Sequence, residues 1–75
     1  MYVVKFQAVG NKTFGRYVMP DGTIWHTPHK NVALLQAQIF ITLGDVVATQ
    51  VVDISKSVSG KVVKTFKNPR HEDED

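Results

Sequence analysis

Hydrophobic periodicity changes twice along this chain of 75 residues, and those changes constrain the fold more than any other feature. Residues 2–9, YVVKFQAV, alternate between two sides, as in a half-buried β-strand. After Thr27-Pro28 the period lengthens to that of an α-helix, and it shortens again in the valine-rich segment 45–55. The pattern therefore predicts strands on both sides of a single helix.

Two turn signals divide the first 26 residues into three predicted strands. They are Gly10-Asn11-Lys12 and Pro20-Asp21-Gly22, because Gly and Asn tolerate positive φ and Pro presets its own φ. Gly15 inside the second strand indicates a bulge or a bend. The predicted strands are 2–9, 13–19 and 23–26.

The helix is predicted to begin at Thr27, as its cap, with Pro28 in the first helical position, and to end at Gly44. Both of its long sides are apolar: one carries Val32, Leu35, Ile39, Phe40 and Leu43, and the other Leu34, Ala37 and Ile41. A helix that is apolar around most of its circumference is usually buried or covered by a partner. The β-formers in 38–43, QIFITL, leave an extended conformation open for its last turns.

Two more strands are predicted after the helix, at 45–55 and 61–67, with a loop at 56–60. On a flat strand Lys61 and Lys67 point to one side and Lys64 to the other. Lysines on a terminal strand either discourage pairing with another chain or contact phosphate, and both interpretations stay open here.

The resulting class is α+β, a small single domain over residues 1–68 with the order β-β-β-α-β-β. This order is similar to that of the OB-fold, a five-stranded barrel with a helix between its third and fourth strands. The resemblance covers residues 2–67 and concerns the order of elements alone. An open antiparallel sheet packed on one helix fits the same order, so the sequence leaves both architectures open.

Cysteine is absent, which removes disulfides, thiolate metal sites and cysteine catalysis, and fits a cytoplasmic location. The start, MYVVKF, lacks the features of a signal peptide. The longest charge-free stretch, 31–44, is too short to span a bilayer. We therefore expect a soluble cytoplasmic protein without membrane association.

Charge is distributed unevenly along the chain. All nine Lys and Arg lie in residues 1–70, against three Asp, so this part carries a net charge of +6. Residues 72–75 then add four acids in a row. We expect residues 69–75 to be a disordered acidic tail, because like charges repel and nothing there can be buried. Such a body attracts polyanions, and the tail opposes that attraction.

Catalytic and metal chemistry have little basis in the sequence. Ser57 and Ser59 lack a nucleophile-elbow pattern, and the three body aspartates fall at a turn, a helix exit and a strand. His26 and His29 have a chelating gap, but no cysteine or nearby acid completes a site. We expect no enzymatic activity, no metal and no cofactor.

The candidate site combines cations with aromatic rings, which is the combination that binds single-stranded nucleic acid: cations contact phosphates and rings stack on bases. In OB-folds these residues lie on the second and third strands, between two loops that correspond to Gly10–Lys12 and Lys56–Gly60. The acidic tail would compete for the basic groove, and acidic tails of small single-strand-binding proteins look similar. Those of bacteria and phages commonly end in phenylalanine, whereas this chain ends in Glu-Asp. The candidate residues are Lys5, Lys12, Phe14, Arg16, Tyr17, Trp25, His26, Lys56, Lys61 and Lys64.

The alternative interpretation is a small protein-binding regulator or inhibitor, of the kind phages and mobile elements encode, that acts on a larger host complex. Exposed apolar residues would then form its contact surface, as would an unpaired strand edge. Homodimerisation through the helix or the fourth strand is compatible with both hypotheses. The residues proposed for this contact are Val47, Val51, Leu34 and Ile41.

Overall fold

The computed structural model of the protein describes residues 1–57 and 60–71. The predicted order of elements is confirmed, although the second and third strands are shorter than the segments 13–19 and 23–26. The elements are β1 (Tyr2–Ala8), β2 (Gly15–Arg16), β3 (His26–Thr27), α1 (Lys30–Phe40), β4 (Val46–Asp53), β5 (Lys61–Lys67) and a 3-10 helix (Pro69–His71).

The five strands form one open antiparallel sheet with the order β2-β1-β4-β5, and β3 pairs with β1 beside β2. An OB-like barrel is therefore not the observed architecture, and the open sheet packed on one helix is. The reason lies in the pairing of β3. Its two residues bond to the start of β1, through Tyr2–Thr27 and Val3–His26, so β3 does not extend the sheet toward β5.

Residues 17–25 pair with one another as a hairpin, while the Tyr17 N–H still donates to the Val4 carbonyl of β1, and this local pairing explains why β2 and β3 are short. Trp25 N donates to the Tyr17 carbonyl at 3.0 Å, and Val18 bridges Ile24. The predicted turn at Pro20-Asp21-Gly22 is present, and Gly22 has a φ of +90°. The extended residues predicted for the second and third strands thus pair partly with each other and partly with β1.

Helix α1 packs on one face of β1 and β4 through its smallest side chains. Ala33 and Ala37 are fully buried against Val4 and Val51. The buried Thr49 hydroxyl donates to the Ala37 carbonyl at 3.1 Å and fixes the helix to the sheet. Alanine is favourable here because a larger side chain would hold the helix backbone away from the strands.

The helix begins later and ends earlier than the sequence predicts. Its N-cap is His29 and its last residue Phe40, followed by Ile41 as C-cap. Thr27 cannot act as the N-cap because it belongs to β3, although its hydroxyl still accepts a bond from the His29 N–H at 3.2 Å. Among the described residues no helix is both long and apolar enough to cross a membrane.

Asn68 joins the end of β5 to the turn between α1 and β4. Its side chain is almost completely buried and donates to the carbonyls of Leu43, at 3.1 Å, and Val46, at 2.9 Å. Its backbone N–H donates to the Val47 carbonyl at 2.8 Å. The 3-10 helix follows directly, so residues 69–71, assigned to the tail from the sequence, have a regular conformation. The acidic residues 72–75 lie outside the described residues.

Candidate nucleic-acid interface

The sheet has one face covered by α1 and one face that the helix does not contact, which we call the open face. Val4, Val51 and Thr49 point to the helix, as their burial and the bond to Ala37 show. Side chains alternate along a strand, so the neighbours of these residues point the other way. Lys5 and Gln50 are among them, and therefore belong to the open face.

A row of polar and cationic residues crosses the open face at the middle of the sheet. The pairing register places Arg16 opposite Lys5, Lys5 opposite Gln50, and Gln50 opposite Thr65. With neighbouring strands about 4.8 Å apart, the row spans roughly 14 Å. Arg16 and Thr65 are exposed, and Lys5 and Gln50 are half-buried. Two cations thus lie side by side with two hydrogen-bonding side chains.

A second row continues toward the end of β5. Gln7 pairs with Ala48, and Ala48 pairs with Lys67, which places another exposed cation on the open face. The body's three aspartates lie elsewhere: Asp21 in the hairpin turn, Asp45 before β4, and Asp53 on the side of β4 that Val51 shares. Among the described residues, the strand positions of the open face therefore carry cations and no acids.

A β-bulge decides which lysines of β5 reach this face. Val52 pairs with Val62 and Val51 with Lys64, so Val63 is an extra residue in β5. An extra residue reverses the alternation beyond it. The flat-strand prediction is therefore wrong: Lys61 and Lys64 point to the helix side, and Lys67 alone lies on the open face. The Lys64 ammonium lies 5.8 Å from the centre of the Phe66 ring.

The structure separates the predicted cluster of cations and rings between the two faces. Tyr17 packs edge-on against Phe40, with ring centres 4.7 Å apart, and Trp25 packs against the core with its ring 6.2 Å from that of Tyr17. Both rings therefore lie on the helix side of the sheet. Phe14 is half-buried, one residue before β2, and its alternation matches that of Arg16. Among the aromatics of the predicted site, Phe14 is the one whose position in the alternation matches that of the cations.

The two loops that flank the binding groove of an OB-fold lie at opposite ends of this sheet. The turn Gly10–Lys12 follows the end of β1 that pairs with Val46, whereas the segment after β4 begins beside Tyr2. Strand β1 has seven residues, so the loops are about 20 Å apart. Lys12 therefore lies toward the same end of the sheet as Lys67, while Lys56 and Lys61 belong to the far end.

That far end contains a shallow cleft of about 210 Å³. Asp53 lies in it, where the Ser55 hydroxyl at 2.7 Å and the Ser55 N–H at 2.9 Å lower the pKa of the carboxyl group below its ordinary value. The carboxylate partly offsets the positive charge of Lys56 and Lys61 beside it. The cleft is lined by Asp53, Ser55, Lys56, Ser57 and Lys61.

Gly60, directly before β5, lies against one end of the open face. Val3 and Val52 face away from the helix, yet both are buried. Gly60 approaches Val52 so closely that a Cβ atom there would collide with Cγ1 of that valine and lie 2.9 Å from the Asp53 carbonyl oxygen. In the middle of the open face and toward Lys67, the exposed side chains are those of Arg16, Thr65 and Lys67.

His26 is exposed at the covered end, where its Nδ1 donates to the Ile24 carbonyl at 2.9 Å. The carbonyl can only accept, so this contact places a proton on Nδ1. Within the described residues no group of three His, Cys, Asp or Glu side chains is close enough to hold a metal ion.

The outer side of α1 carries an apolar stripe that no described residue covers. Leu35 is 59% exposed and Ile39 is 51% exposed, and Val32 and Leu43 are exposed beside them. The contact residues expected from the sequence were different, and for Val51 and Leu34 that expectation is wrong: Val51 is fully buried and Leu34 packs against the core. Val47 and Ile41 are half-buried.

Comparison with protein-family models, with curated proteins and with solved structures gives no match for this chain. The interpretation of the open face consequently depends on its own geometry and charge.

Proposed function

We propose that the protein is a non-catalytic module that binds single-stranded nucleic acid on its open face, mainly through phosphate contacts. The observation that carries this proposal is the cross-strand row in which Arg16 and Lys5 lie side by side, continued by Gln50 and Thr65. Cations on a shallow sheet surface follow a flexible phosphate backbone, and amide and hydroxyl groups between them bond to sugar or base.

Lys67 and Lys12 extend this surface toward one end of the sheet, which gives four cations for contact with phosphates. Stacking contributes through Phe14, since Tyr17 and Trp25 pack with the helix. With little stacking, affinity comes mostly from counterion release and depends strongly on salt. We expect weak, sequence-tolerant binding in the range of about 1–100 µM at physiological salt.

The acidic residues 72–75 are part of the proposal as a competitor for the same cations. They carry four negative charges and follow a body of net charge +6. Neutralising them with Gln and Asn should strengthen binding, and the gain should shrink as salt rises, because an electrostatic competitor is screened together with the nucleic acid. If neutralising the four acids does not strengthen binding at low salt, they do not compete for the cations. The proposal then rests on the open face alone.

The test is a titration of a fluorescent mixed-sequence oligonucleotide at about 50 mM and 200 mM salt. With four phosphate contacts on a single strand, the affinity should fall about 50-fold between these conditions. Lys5→Gln combined with Arg16→Gln should reduce the dependence of log K on log salt by about 1.4. Undetectable binding of the oligonucleotide at 50 mM salt would overturn the proposal. The remaining hypothesis would then be the protein-binding regulator.

A matched control distinguishes the open face from net charge alone. Lys64→Gln combined with Lys30→Gln removes the same two charges away from the open face, since Lys64 points to the helix side and Lys30 begins α1. These variants should keep the salt slope of the unmodified protein. Equal losses in both double variants would show that binding follows total charge and has no preferred surface.

A further inference from the structure

The apolar stripe on the outer side of α1 points to a second interaction surface, separate from the open face. Three large side chains, Val32, Leu35 and Ile39, recur at intervals of three and four residues along one side of α1, and exposed Leu43 follows in the turn after the helix. The inner side is formed by Ala33 and Ala37, which are fully buried, and by Leu34 and Phe40, which pack against the core. The apolar side chains of the outer side have no such cover from the described residues, which is typical of a contact surface.

The charge distribution favours one occupant for this stripe. From Asn31 to Gly44 the chain has no charged residue, so the middle of the stripe carries no charge, while the Arg70 guanidinium lies close to Gly44 at the end of this segment. A body of net charge +6 repels its own copy at any cationic surface, and both the open face and β5 are cationic. The outer side of α1 can meet an identical surface without bringing like charges into contact.

The spacing of the apolar residues is nearly the same when the stripe is read in the opposite direction, as it would be in an antiparallel second copy. In an antiparallel pair of helices related by a two-fold axis near residue 37, Leu35 of one copy lies opposite Ile39 of the other, and Val32 lies opposite the turn that contains Leu43. A two-fold interface requires this kind of self-complementarity. The two open faces would then point outward, roughly 25–30 Å apart, which is about three Debye lengths at physiological ionic strength.

We propose that two copies of this chain associate as an antiparallel dimer through Val32, Leu35 and Ile39 of α1 and Leu43 of the turn that follows it. From their exposure, these side chains and the polar flank provide on the order of 500 Å² per copy, or about 1,000 Å² in total, near the lower limit for a specific interface. The dimer is accordingly weak. It presents two open faces, so it also gives a bivalent arrangement for a long strand.

Sedimentation equilibrium over a concentration series up to about 1 mM tests the association. The unmodified chain should approach twice its monomer mass, and Leu35→Gln should raise the dimer dissociation constant at least about tenfold, because each dimer loses two apolar contacts. The control is Val62→Gln, which removes a residue of similar exposure, 49%, from β5 and should leave the constant unchanged. Circular dichroism confirms that both variants are folded.

Disulfide crosslinking tests the antiparallel arrangement, because the chain has no cysteine of its own. Under mild oxidation a mixture of Leu35→Cys and Ile39→Cys chains should crosslink as a mixed pair in preference to either identical pair. A parallel dimer would crosslink the identical pairs instead and would overturn the proposed geometry. A chain that stays monomeric at about 1 mM would overturn the dimer itself and leave the stripe to a different protein.

Discussion

The two outer surfaces of this small molecule differ in nearly every property, although only two layers of structure separate them. The open face has Lys5, Arg16 and Lys67 among Gln and Thr side chains, whereas the outer side of α1 is neutral and apolar. We have proposed a flexible polyanion as the partner of the first surface and a second copy of the chain as the partner of the other. The difference teaches that the two layers of so small a chain can present surfaces of different chemistry.

Removing the glycine that closes the covered end of the open face should have the largest effect. Gly60 has a φ of +73°, and an added Cβ would collide with Val52 Cγ1 and crowd the Asp53 carbonyl. We expect Gly60→Ala to lower the free energy of unfolding by about 3 kcal/mol or more, from strain and overpacking together. Urea denaturation of the two proteins measures this difference in the free energy of unfolding.

Gly15→Ala is the control for this change, because nothing lies within 4 Å of the added Cβ and its φ is not positive. It should alter the free energy of unfolding by less than about 1 kcal/mol. If the two alanine variants lose equal stability, Gly60 does not lie against Val52 in the way described.

The contrast between the two sides of α1 can be measured directly. Ala37→Leu places a large side chain between helix and sheet, where Ala37 is fully buried, and should cost about 1–3 kcal/mol of unfolding free energy. Leu35→Ala on the outer side should change it by no more than about 0.5 kcal/mol in a dilute, monomeric sample. Thermal or urea unfolding at low micromolar concentration measures both changes in unfolding free energy. A larger loss for Leu35→Ala than for Ala37→Leu would mean that the helix faces are assigned incorrectly.

A smaller effect distinguishes the two sides of β5. Lys67 lies on the open face and Lys64 on the helix side because of the bulge at Val63. Lys67→Gln should weaken oligonucleotide binding about threefold at 50 mM salt, and Lys64→Gln should change it less, since only the first removes a phosphate contact. Fluorescence titration of the two variants in parallel provides the measurement. Equal losses of binding affinity in the two variants would contradict the assignment of Lys67 and Lys64 to different sides of the sheet.

The smallest expected effect is a pH dependence at the covered end of the open face. The Ser55 hydroxyl and N–H lower the pKa of Asp53 from its ordinary value of 3.8. A carboxyl group with a lowered folded-state pKa contributes stability above its unfolded pKa and loses that contribution as the pH falls through the folded one. Asp53→Asn should therefore flatten the rise of stability between about pH 2 and 4.

Urea unfolding at several pH values in that range measures the slope for Asp53→Asn. Asp45→Asn provides the comparison, because it removes an exposed carboxylate from the turn before β4. A slope identical to that of the unmodified chain would mean that the bonds from Ser55 are absent in solution.

Local signals in the sequence were enough to predict most of the elements and their order. The alternation of residues 2–9 predicts β1, the valine-rich segment predicts β4, and Pro20-Asp21-Gly22 predicts the hairpin turn. These predictions succeed because strand alternation, helical spacing and turn chemistry act between residues close in sequence. The second strand was predicted too long for a related reason, since residues 17–25 pair locally as a hairpin.

The candidate site was less predictable, because membership of a face depends on partners that are distant in sequence. Lys5 and Arg16 were expected to be neighbours, and the register places them opposite each other. Lys67 was missed, because a single bulge reverses the alternation of β5 and no residue type marks it. Tyr17 and Trp25 were grouped with the cations, since the alternation within one strand does not show which side the helix will cover.

The sequence by itself determined the α+β class, the order of the elements, the concentration of positive charge in residues 1–70 and the two apolar sides of the helix. Only the tertiary structure decided that the sheet stays open, that Ala33 and Ala37 form the inner side of α1, and that Leu35 and Ile39 face outward. The physical reason is that periodicity creates two candidate faces for each element. Which of them is buried depends on how closely another layer can approach, and here the alanines allow the closest approach.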